Sequence, residues 1–171
     1  MDNMATLYMM FGYPGAGKTT AAEAIANLTG AVHLSSDKVR LELFPEPHFT
    51  QTEHDALYRT LDLRAEELLH AGKDVIYDAN LNRYQHRKDK YDICQRTSAT
   101  PKLLWVQAER DIAKERSLHD SRQHLWPPDE TPSSLFDRVA DVIEEPGPAE
   151  PYIAVDGTKV TKEYIQNLLQ G

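Results

Sequence analysis

The run Gly12-Tyr13-Pro14-Gly15-Ala16-Gly17-Lys18-Thr19 has the residue types and spacing to hold a chain of phosphates. It meets the pattern G-x-x-x-x-G-K-[ST] at every fixed position. Glycines let backbone N–H groups wrap a β-phosphate where a Cβ would intrude. A helix beginning inside the loop aims its partly positive end at the same oxygens. The nucleotide-holding set is therefore Gly12, Pro14, Gly15, Ala16, Gly17, Lys18, Thr19 and Thr20. Lys18 is expected to reach the β- and γ-phosphates, and the Thr19 hydroxyl to ligate Mg²⁺.

A phosphate loop promises only a bound nucleoside triphosphate, so other residues must choose the chemistry. Asp78 follows the apolar run Val75-Ile76-Tyr77 and is the candidate second acid for Mg²⁺. Motor and AAA-type ATPases usually place a Glu directly after this Asp to activate water. Ala79 stands there instead, and no Asn-Lys-x-Asp guanine-reading motif occurs. What remains is transfer of the γ-phosphoryl group to an acceptor hydroxyl, which needs a carboxylate to take the proton. Asp37, after the second apolar segment, is that candidate, and Arg40 three residues on suits an anionic acceptor. Arg116 and Arg122 stand where a lid could bring positive charge to the transferring group. An ATPase or nucleotide-driven switch acting on a protein partner is the other reading.

These residues need a frame. Strand and helix patterns alternate along the chain, which predicts an α/β fold of the P-loop NTPase type. The expected architecture is a five-stranded parallel sheet covered by helices on both faces, with a helical lid at about residues 112–132. The expected strands are Leu7–Phe11, Ala31–Leu34, Asp74–Asp78, Lys102–Val106 and Tyr152–Val155. Ala-rich Thr20–Leu28 reads as the first helix, and a short helix follows over Val39–Leu43. Thr50 and Glu53 read as a capping box opening a helix to His70, with Leu57, Leu61, Ala65 and Leu68 on one face. Further helices are expected over Arg83–Arg96, Asp111–Arg122, Ser133–Ile143 and, capped by Thr161, to Leu169. A single domain spanning 1–171 accounts for the length.

Composition excludes other classes. No apolar run reaches the length of a membrane span. Cys94 is the only cysteine, so no intrachain disulfide can form, and a half-buried helix thiol in a cytoplasmic protein is expected. The net charge of −8 weighs against gripping long nucleic acid, although Arg83, Arg87, Lys88 and Lys90 could form a local basic pocket. The seven histidines lack metal-ligand spacing, so zinc is not expected. Tyr58, Tyr84 and Trp126 could stack on a base or sugar.

The chain resembles the small P-loop kinases related to phage-type 5′-polynucleotide kinase and the zeta-toxin kinases. Four segments carry the resemblance: Gly12–Thr20, Ser36-Asp37-Lys38-Val39-Arg40, Asp74–Arg87 with Asp78-Ala79-Asn80-Leu81-Asn82, and the Arg116–Arg122 region. It implies that Lys18 and Thr19 hold ATP and Mg²⁺, that Asp37 is the general base and that Arg40 contacts an acceptor phosphate. It places Asp78, Asn80 and Arg87 on the acceptor side, with Arg116 and Arg122 as lid arginines. Adenine would then lie between the lid and Asp156-Gly157-Thr158. The acceptor would be a small molecule or the 5′ end of a single-stranded nucleic acid.

Overall fold

The computed structural model describes residues 4–119 and 127–171. Five strands form the sheet: β1 Thr6–Phe11, β2 Val32–Ser35, β3 Val75–Asp78, β4 Thr100–Gln107 and β5 Ile153–Asp156. They pair in the order β2-β3-β1-β4-β5, and every pairing is parallel. The helices are α1 Lys18–Thr29, α2 Ser36–Leu43, α3 Gln51–His70, α4 Tyr84–Thr97, α5 Arg110–His119, α6 Pro132–Asp141 and α7 Lys162–Gln170.

Parallel strands need crossovers, and the crossovers here bury both sheet faces. Strand alternation sends Leu7, Met9 and Phe11 of β1 to one side, where Leu57, Leu61, Ala65 and Leu69 of α3 and Ile93 of α4 meet them. Tyr8 and Met10 point the other way, against Ala21, Ala22 and Ile25 of α1 and Ile165 of α7. That two-sided burial explains the unbroken apolar run of β1. Among the described residues, no helix is long and apolar enough to cross a membrane.

Several local expectations shift. The buried stripe of α3 ends on Leu69, with Leu68 only partly buried. The Thr50 side chain caps α3 by accepting from Glu53 N, but Glu53 does not reach back to Thr50. Its carboxylate accepts from His48 N and Phe49 N instead, because Phe49 turns through φ 58° and brings those donors round. The reciprocal box belongs to α6, where Thr131 and Ser134 cap each other and Pro132 starts the helix. Cys94 is fully packed at 2% exposure rather than half-buried, and burial pushes its thiol up to about 11.

The topology sets the site. The chain builds β2 and β3 on one side of β1, then crosses to β4 and β5 on the other. Ligands of open parallel sheets gather outside the strand carboxyl ends near such a reversal. The loop after β1, the start of α2 and the end of β3 all open onto that rim.

Candidate active site

The loop between β1 and α1 is held in shape by its glycines. Gly15 lies at φ 77° and Gly17 at φ 113°, in the left-handed region. A Cβ on Gly15 would come within 2.2 Å of the Ala113 carbonyl oxygen, so α5 can seat on the loop only if residue 15 is glycine. Gly17 directly precedes Lys18, the first residue of α1, and supplies no side-chain cap. The N-terminus of α1 therefore keeps its backbone donors facing the loop.

The Lys18 ammonium folds back over the loop, donating to the carbonyls of Gly12 (2.7 Å) and Tyr13 (3.1 Å). Loss of hydration lowers its pKa to about 8, against the opposing pull of Asp78 and Asp37. The next residue, Thr19, donates its hydroxyl to Asp78 Oδ2 at 3.1 Å. Asp78 ends β3 in register with Ser35 of β2, and only 8% of its side chain is exposed. The same Oδ2 accepts from His33 Nε2 at 2.8 Å.

Asp37 sits in the first turn of α2. It does not cap that helix; Ser35 does, accepting from Lys38 N. Asp37 is therefore free to face the mouth of the cleft, where it is exposed. Desolvation by the surrounding walls raises its pKa, and the nearby Asp78 charge raises it further, against Arg40 and Lys18. A carboxyl shifted upward is better matched to accepting a proton near neutral pH.

One cleft of about 560 Å³ gathers these groups. Lys18, Thr19, Asp37, Asp78, Asn80 and Arg116 all line it, with Phe136 and Val139 of α6 as the far wall. Arg116 donates to the Gly157 carbonyl at 3.0 Å, so α5 and the loop after β5 close one flank of the phosphate loop. Arg122 and Trp126 lie outside the described residues. Arg40 stacks 4.8 Å from the Phe49 ring, and its Nη1 is buried without a hydrogen-bond partner among the described residues. The Asn80 side chain accepts from Asn82 N, fixing the turn after β3, and its backbone N–H meets the Tyr58 hydroxyl.

Arg87 requires a correction. Its acceptor-side role is not compatible with its position, because it is 0% exposed. Its guanidinium is taken up by both oxygens of Glu150 and by the carbonyls of Leu81, Asn82 and Glu144. A second recess, about 800 Å³ and more open, lies over the ends of β4 and β5. Among the described residues it holds none of the candidate catalytic groups, and its Arg110 is already paired with Asp137 and Asp141.

Two further residues border the site without a candidate role in the sequence. His33 has no metal-ligand spacing to the other histidines and belongs to no motif. Strand alternation from Ser35 would have placed it on the same side as Ser35, one strand from Asp78. Asn82, 3% exposed, lines the cleft and donates to the Val139 carbonyl, tying the turn after β3 to α6.

A parallel five-stranded sheet with helices on both faces and a phosphate-loop motif after its central strand define an α/β fold of the P-loop, kinase-like type. Residues 7–146 match the AAA domain family, and the chain belongs to it. It is similar in fold to a candidate kinase from Chloroflexus aurantiacus j-10-fl, with 20% identity over 98% of both chains and a TM-score of 0.78. A gluconokinase from Sinorhizobium meliloti 1021 is 19% identical over 98% of this chain and 90% of its own, with a TM-score of 0.66. A chain of the Pnkp1/Rnl/Hen1 complex is 17% identical over 77% of this chain and 44% of its own, with a TM-score of 0.62. Likeness at these identities is likeness of fold. No curated protein matches the chain.

Proposed function

We propose that this protein is an ATP- and Mg²⁺-dependent phosphotransferase that moves the γ-phosphoryl group onto an acceptor hydroxyl. The observation that carries the reading is the convergence of Lys18, Thr19, Asp37 and Asp78 on one cleft. A hydrolase needs only a positioned water. A carboxyl with a raised pKa beside the phosphate loop suits an alcohol whose proton must be removed.

In this reading Lys18 leaves the carbonyls of Gly12 and Tyr13 for phosphate oxygens. The donors of the loop and of α1 surround the β-phosphate. The Thr19–Asp78 pair fits a bound Mg²⁺: a hydroxyl and a carboxylate meet at the mouth of the loop. Thr19, with Asp78 acting directly or through water, would hold the Mg²⁺, which would supply positive charge to the phosphate chain. The acceptor oxygen attacks phosphorus in line, its proton passes to Asp37, and the bond to the ADP leaving group breaks. Arg116 on α5 supports the nucleotide flank, and α5 belongs to the expected lid of about residues 112–132, of which 120–126 lie outside the described residues. The free Nη1 of Arg40 offers a donor to an anionic acceptor, and Asn80 borders the same space.

The test is transfer from γ-labelled ATP to two probes, a short single-stranded oligonucleotide with a 5′-hydroxyl and gluconate. Label on the first defines a polynucleotide 5′-kinase, and label on the second a sugar-acid kinase. ATP that is bound and hydrolysed only when a protein partner is added would overturn the phosphotransferase reading.

A further inference from the structure

His33 lies outside the phosphate loop and outside every motif of the proposed reaction, yet it touches the acid on which the metal site depends. It stands on β2 opposite Ile76, one residue before the Leu34–Tyr77 pair and two before Ser35–Asp78. Ile76 faces α1, and strand alternation puts Asp78 on that same face. His33 reaches Asp78 diagonally across the two strands, and its side chain is 14% exposed. A carboxylate oxygen only accepts, so Nε2 carries the proton of this 2.8 Å bond.

The consequence lies in how Asp78 is shared. Its Oδ2 receives two donors, His33 from β2 and Thr19 from α1. Among the described residues, Oδ1 receives none. A carboxylate held by one donor can still swing about its Cβ–Cγ bond. Two donors from different elements fix the plane of the group and commit one oxygen to the protein. We propose that His33 is a positioning residue that holds Asp78 ready for the cation bound with the nucleotide, so that the loss of its Nε2 donor weakens Mg²⁺ coupling to nucleotide without weakening the nucleotide site itself. The inference rests on the Mg²⁺-nucleotide reading of the cleft. Hydrogen-bond partners behind a metal-binding carboxylate typically govern metal affinity by about 10- to 100-fold.

The experiment is calorimetric titration of ADP into the full chain, with and without Mg²⁺. The measured quantity is the gain in affinity that Mg²⁺ confers. Wild type, His33→Gln, His33→Asn and Asp78→Asn are compared, with a thermal melt of each as the folding control. The Gln amide nitrogen stands where Nε2 stands and can reach Asp78, whereas the Asn amide stands near Nδ1 and cannot. The expected result is a Mg²⁺ gain preserved in His33→Gln, lowered about 10- to 100-fold in His33→Asn and lost in Asp78→Asn. Binding of ADP alone stays unchanged in the two His33 variants. A purely structural histidine would affect both titrations alike or neither. A wild-type Mg²⁺ gain that survives intact in His33→Asn overturns the inference and leaves the kinase reading standing. The absence of any Mg²⁺ gain in wild type overturns the metal-site reading itself.

Discussion

The Arg87 guanidinium grips both carboxylate oxygens of Glu150, at 2.7 and 2.9 Å, across 63 residues of chain. Arg87 also packs 4.7 Å over the Phe11 ring at the end of β1 and bonds the carbonyls of Leu81 and Asn82. One buried cation thus joins the central strand, the turn after β3 and the segment before β5. The Tyr91 hydroxyl donates to the same carboxylate at 2.6 Å.

Breaking this pair should cost stability. Removing one partner of a buried ion pair strands the other, at about 3–5 kcal/mol. Glu150→Ala is expected to lower the unfolding free energy by about 3 kcal/mol in denaturant titration. Burial raises the Glu150 pKa, but the hydrogen bonds from Arg87 and Tyr91 and the Arg87 charge outweigh it and hold the group below 4.5. A group with a depressed folded pKa contributes stability above its unfolded pKa and loses it as pH falls through the folded one. Wild type should therefore lose stability below about pH 4.5 more steeply than Glu150→Gln. Parallel acid-unfolding curves for the two proteins would contradict this.

Lys18 predicts a pH dependence of nucleotide binding. Its pKa of about 8 means the free protein surrenders this charge as pH rises through that value. Binding triphosphate needs the ammonium, so a proton must be taken up above pH 8. ATP affinity should decline between pH 7.5 and 9.5, approaching about tenfold per pH unit at the upper end. Lys18→Met should remove that slope along with most of the affinity. A flat profile in wild type would show that the ammonium is not needed.

Gly15→Ala tests the loop geometry. The added Cβ meets the Ala113 carbonyl, and φ 77° strains any residue with a side chain. The backbone strain alone costs about 1–3 kcal/mol. Relief requires α5 to move off the loop, carrying Arg116 away from Gly157. Lowered thermal stability together with weakened ATP binding is expected; wild-type values for both would show that α5 has room to adjust.

Much of this was legible in the sequence because the signals are local. The phosphate loop, the five strands and the caps at Thr50 and Thr161 follow from spacing and periodicity over a few residues. Asp37 and Asp78 were readable because each ends or follows an apolar run. Long-range pairings left no such mark. Nothing near Arg87 announces that Glu150 will consume it, and the cluster of Arg83, Arg87, Lys88 and Lys90 reads as a local basic pocket. The α4 stripe that buries Arg87, Lys90, Ile93 and Cys94 mixes charges into a packed surface, which hydrophobic periodicity cannot detect. His33 was hidden for the same reason, because its meaning depends on which strand lies beside β2.

The proposed transfer turns on Asp37 taking the acceptor proton. Its carboxyl is held above the usual range, so the rising limb of kcat/KM should have its midpoint above pH 3.8. The direct measurement is single-turnover transfer of labelled γ-phosphoryl by wild type and Asp37→Asn, with ATP affinity measured on both. Transfer by Asp37→Asn is expected to fall about 10²- to 10⁴-fold with ATP binding retained. Transfer at the wild-type rate by Asp37→Asn would contradict it.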